Sequence, residues 1–69
     1  MSKRDWNKVK RHPLVAEAWC EDHGEDRSED YWVSLKPGYW HARYGVTGLH
    51  EYSPGDMLAR LAECEPDPR

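Results

Sequence analysis

The sequence predicts a small α+β domain: an N-terminal helix, an acidic segment, a two- or three-stranded antiparallel sheet, and a C-terminal helix packed on that sheet. Three observations predict it. Two alternating runs, YWVSLK at 31–36 and YWHARY at 39–44, flank Pro37-Gly38, a turn dipeptide, and so read as a hairpin. Ser53-Pro54-Gly55-Asp56 reads as a helix start, with Ser53 capping, Pro54 in the first helical position and Asp56 at the third. The chain has 69 residues, the length of one domain. At this size a fold buries only about 60% of its unfolded surface, so stability is modest.

In chain order, residues 1–11 form a basic arm, with one turn of helix around Trp6 and Val9. His12-Pro13 marks a boundary, and a helix is expected from Pro13 to His23, with Leu14, Val15, Ala18 and Trp19 on one side and Gly24 as its stop. Glu21 and Asp22 then lie in its last turn, where the helix dipole disfavours anions. In the hairpin, Tyr31, Val33 and Leu35 share one face, and Trp40, Ala42 and Tyr44 share one face of the second strand. These sets are expected to face inward, leaving Trp32, Ser34, Lys36, Tyr39, His41 and Arg43 outside. Gly45 and Gly48 bracket a second turn, and Leu49 to Tyr52 suits a short edge strand. After Ser53 the stripe Met57, Leu58, Leu61 and Ala62 defines the last helix, which Pro66 ends before a tail at 66–69.

The net charge of −3 conceals a division along the chain. Residues 1–12 hold five cations and one acid, a net of +4, while residues 17–30 hold seven acids and one cation, a net of −6. The centre of that division is EDHGEDRSED at 21–30, in which a Glu-Asp pair recurs every four residues: Glu21-Asp22, Glu25-Asp26, Glu29-Asp30. Six carboxylates in ten positions repel one another and lower stability unless something uses their field. On a helix the repeat would give about one charge per 3 Å, against roughly one per 3.4 Å for a strand of DNA. That match suggests a segment that imitates a nucleic-acid backbone in a partner's basic groove. Gly24 and Ser28 are poor helix interiors, so a solvated acidic loop stays open as the alternative.

Other chemistries find less support. Cys20-x-x-His23 has ligand-like spacing, but His41, His50 and Cys64 supply no second paired half-site, so no metal is expected. The acidic run lacks the pattern of a calcium loop. There is no Gly-x-Ser-x-Gly elbow, no phosphate loop and little volume for a pocket, so neither an enzyme nor a cofactor is expected. Two Cys in 69 residues read as buried thiols rather than a disulfide. With no apolar run of membrane length and no signal-peptide core, the expected location is the cytoplasm. Exposed aromatics of the hairpin, with Lys3, Arg4, Lys8, Lys10 and Arg11, would suit single-stranded nucleic acid. A pI near 5.7 is the wrong sign for a general binder of that kind. Trp and Tyr also dominate protein interfaces, and a regulatory or dimerising module is the third reading.

With its length, the EDHGEDRSED run and surface aromatics such as Trp32 and Tyr39, the chain resembles the small phage-encoded inhibitors of the anti-CRISPR type. That group shares no sequence motif. The resemblance implies a non-enzymatic protein, monomeric or dimeric, that binds a CRISPR effector complex in the host cytoplasm, in several cases as a DNA mimic. The residues it would use are Glu21, Asp22, Glu25, Asp26, Glu29, Asp30, Trp32 and Tyr39. The basic arm departs from uniformly acidic mimics and leaves mimicry by one face.

Overall fold

Tyr31, Val33 and Leu35 alternate with polar or amphipathic neighbours, and a strand turns all three to one side. That strand, β2 (Glu29–Leu35), is the middle of a three-stranded antiparallel sheet with β1 (Val15–Asp22) on one side and β4 (Gly48–Glu51) on the other. The computed structural model describes residues 3–22 and 29–69. Two helices, α1 (Lys3–Lys10) and α2 (Pro54–Leu61), pack on each other and on the face bearing Tyr31, Val33 and Leu35. A two-stranded ribbon of β3 (Tyr39–His41) and β5 (Cys64–Pro66) completes the α+β fold.

The core lies between sheet and helices. Val9 of α1, Met57 and Leu61 of α2, and Val15, Tyr31, Val33, Leu35 and Leu49 of the strands are all buried in it. Trp6 meets Tyr31 edge to face, with ring centroids 4.9 Å apart. The expected start of α2 is present: Ser53 is extended, and its Oγ accepts a hydrogen bond from the Asp56 amide at 3.1 Å. The basic lead is more ordered than one turn. Asp5 in the first turn and Lys8 and Lys10 in the last complement the dipole of an eight-residue helix.

Three element assignments are corrected. Val15–Asp22 is a strand, where a helix from Pro13 to His23 was expected. Its Ala and Glu residues suit a helix, but β2 needs a partner on that side, and tertiary pairing overrides propensity. The register runs from Val15 opposite Leu35 to Asp22 opposite Glu29, with a bulge at Ala16 after which Ala18 and Cys20 share the face of Val33 and Tyr31; Ala18 is half-buried and Cys20, expected as a buried thiol, is exposed. As a strand the segment also escapes the dipole penalty on Glu21 and Asp22.

Second, β3 pairs with β5 and not with β2. Both sides of β2 are occupied: at its end, Leu35 N–H donates to Thr47 O and Lys36 N–H to Leu14 O, both at 2.9 Å. The turn at Pro37-Gly38 does form, with Gly38 at φ 91°, but it redirects the chain away from the sheet. The expected facing over 39–44 fails at two positions, while Tyr39, Trp40 and Ala42 are half-buried and Arg43 is exposed. His41 is fully buried and Tyr44 exposed. Third, α2 stops at Leu61, before Pro66, because 64–66 joins β3 and Asp67 N–H donates to Gly38 O at 2.8 Å.

Candidate functional site

Alternation that buries one face of the sheet exposes the other, and this other face carries the aromatic side chains. Trp19 of β1 lies opposite Trp32 of β2, which lies opposite His50 of β4, so three rings form one row across the sheet. Trp19 and Trp32 are stacked with centroids 6.4 Å apart and planes 9° from parallel. Trp32 and His50 stack at 4.2 Å and 28°. Tyr52, just past the end of β4, extends the row edge-on to His50 at 4.9 Å. Trp19 is 43% and Tyr52 70% exposed. Among the described residues, both helices pack on the opposite face.

Acids flank the row on both sides. The register places Glu17 with Ser34 and Gly48 on one side, and Glu21 with Asp30 on the other. Asp30 Oδ1 accepts a hydrogen bond from His50 Nε2 at 2.9 Å, which fixes the imidazole against Trp32 and its proton on Nε2. Glu21 and Asp30 face each other as like charges, an arrangement that costs the hairpin stability. Trp32 Nε1 is buried with no hydrogen-bond partner among the described residues. The face is thus built at a local cost, from groups that together suit a planar cation.

Of the sequence-derived site residues, Glu21, Asp30 and Trp32 come together on this face. Asp22 and Glu29 point to the other side of the same hairpin, where Tyr31 OH donates to Glu29 Oε2 at 2.8 Å and Cys20 Sγ lies 3.7 Å from the same oxygen. Burial and the Glu29 carboxylate push both the Tyr31 phenol and the Cys20 thiol up. Glu25, Asp26 and His23 lie outside the described residues. Tyr39 is half-buried against the core rather than displayed on the sheet. The acids that are described stand on paired strands, so the helical charge spacing does not apply to them.

Glu17, Trp19, His50 and Tyr52 were not singled out from the sequence. Their signal was present as period-two spacing, Glu17-Trp19-Glu21 in one strand and His50-Tyr52 in the next. The cations of α1 lie across the core from the aromatic row, so one stretch of nucleic acid does not meet both on a common surface. Cys20 and Cys64 are free thiols, and among the described residues no group of three or more His, Cys, Asp or Glu is placed to hold a metal ion. No helix among them is long and apolar enough to cross a membrane. Compared with protein-family models, with characterised proteins and with solved structures, the chain matches none of them.

Proposed function

We propose that the protein is a non-enzymatic inhibitor that docks through the open face of its sheet on an arginine-rich site of a nucleic-acid-handling protein, and so competes with nucleic acid there. The observation that carries this reading is the Trp19–Trp32–His50 row with Glu17 on one side and Glu21 and Asp30 on the other. A guanidinium is planar, stacks on indole faces and donates in a fork that fits a carboxylate. Rings flanked by acids meet both demands at once. Bases would also stack on such rings, but a phosphate backbone needs cations beside them, and here carboxylates stand in those places.

Competition then rests on the partner's site being cationic and not on a match to phosphate spacing. A CRISPR effector complex is one partner with such a site, and inhibition of the anti-CRISPR type is the form the proposal takes there. The test is retention of nucleic-acid-binding proteins from a bacterial lysate on immobilised protein. Wild type should retain them at low salt and release them to added DNA, and a Trp19→Ala/Glu21→Lys variant should not retain them. Equal retention by both proteins, or retention that DNA does not displace, contradicts the reading.

A further inference from the structure

On the opposite side of the molecule from the aromatic row, α1 carries cations at positions 4, 8 and 11, the spacing that puts side chains on one helical face. Arg11 continues that face because its N–H still donates to Asn7 O at 3.1 Å. Arg4, Lys8 and Arg11 line a cleft of about 790 Å³ together with Asn7, His12, Pro13 and Leu58 of α2. The volume falls within the roughly 300–1,000 Å³ of small-ligand sites. Among the described residues, no carboxylate lines the cleft. Among the described residues, Arg4, Lys8 and Arg11 enter no ion pair. Like charges three and four residues apart repel, so α1 bears this arrangement at a cost that a bound anion would remove.

Two further groups shape what the cleft takes. His12 Nδ1 accepts the Leu14 amide at 3.1 Å, so its proton stands on Nε2 and the ring offers a donor even when neutral. Pro13 and Leu58 supply an apolar wall that a bare inorganic anion does not use. We propose that this cleft binds a phosphate ester of nucleotide size, with the phosphate on Arg4, Lys8 and Arg11 and the organic body against Pro13 and Leu58. The ester belongs either to a free nucleotide or to a strand of nucleic acid, and the two differ in how affinity grows with length.

The test is titration of the full chain with adenosine monophosphate, inorganic phosphate and a single-stranded oligonucleotide, followed by NMR at the Leu58 methyls and the His12 ring. Adenosine monophosphate should shift both saturably and bind more tightly than inorganic phosphate. Reversing Arg11 alone (Arg11→Glu) should weaken it about tenfold, as loss of one charge-assisted contact does. An oligonucleotide that binds more tightly as it lengthens identifies nucleic acid as the source, and one no tighter than the mononucleotide identifies a free nucleotide. Absence of shifts at Leu58 and His12 in the wild-type protein overturns the proposal, as does inorganic phosphate binding as tightly as the nucleotide. The wild-type readout stands even where a charge reversal disturbs folding.

Discussion

Trp19 shows how much one residue's direction decides. On a helix it would have joined the core stripe with Leu14, Val15 and Ala18; on β1 it stands on the open face, 43% exposed and stacked on Trp32. Trp19→Ala should therefore change stability by less than about 1 kcal/mol while weakening binding of an arginine-rich peptide about tenfold, as removal of an exposed cation–π partner at a contact centre does. Urea denaturation and a fluorescence titration check the two halves. His41 illustrates the converse. It is fully buried, its Nε2 donates to Glu63 Oε1 at 3.0 Å, and its Nδ1 has no partner among the described residues. The hydrogen bond from His41 holds the Glu63 carboxyl below its ordinary value. A depressed carboxylate stabilises the fold above the unfolded value of about 4.3 and loses that contribution as pH falls through the folded value. The acid limb of the stability profile should accordingly be shallower in Glu63→Gln than in wild type, measured by thermal melts between neutral pH and pH 3. Nothing in the sequence marked His41 for burial, because its facing follows from pairing opposite Cys64 of β5 and from its contact with Glu63, 22 residues away.

At the scale of elements, α2, β2 and β4 were legible because each carries its own local instructions. The Ser53 cap fixes the start of α2, and Ser53→Ala should cost about 0.5–2 kcal/mol in denaturant melts. Alternation fixed the inward set of β2, and Leu49–Tyr52 found its edge position as Gly48–Glu51. The segment 15–22 was misread because its apolar residues fit a helical stripe as well as a bulged strand, and only the vacancy beside β2 decides between them. The cross-strand acids of this hairpin give a prediction with opposite signs. Glu21→Lys, opposite Asp30, should raise stability by about 0.2–1 kcal/mol and at the same time weaken docking on a cationic partner. A variant in which stability and affinity fall together would assign Glu21 to the fold instead of the interface. The Pro37-Gly38 turn was legible as a turn but not as a departure from the sheet, since that depends on β1 and β4 having taken both edges of β2.

Over the whole molecule, the charge division seen along the chain becomes a division in space. Glu17, Glu21 and Asp30 stand with the aromatic rings on the open face of the sheet, Asp22 and Glu29 on the other side of the same hairpin, and the cations of α1 beyond the core on the far side. The α+β class and the separation of charge were in the sequence; the conversion of an acidic run into one flank of an aromatic row required the β1–β2 register. A molecule so polarised presents its acidic face first to a cationic surface, and screening should slow that encounter as the Debye length shrinks from about 10 Å at 0.1 M salt to about 3 Å at 1 M. We propose the open face as the docking surface. The measurement that tests it most directly is NMR titration of the labelled protein with an arginine-rich peptide at low salt. Shifts are expected to concentrate at Glu17, Trp19, Trp32, His50 and Tyr52, with Met57 and the cations of α1 undisturbed. Shifts concentrated on α1, or none on the strands, would contradict it.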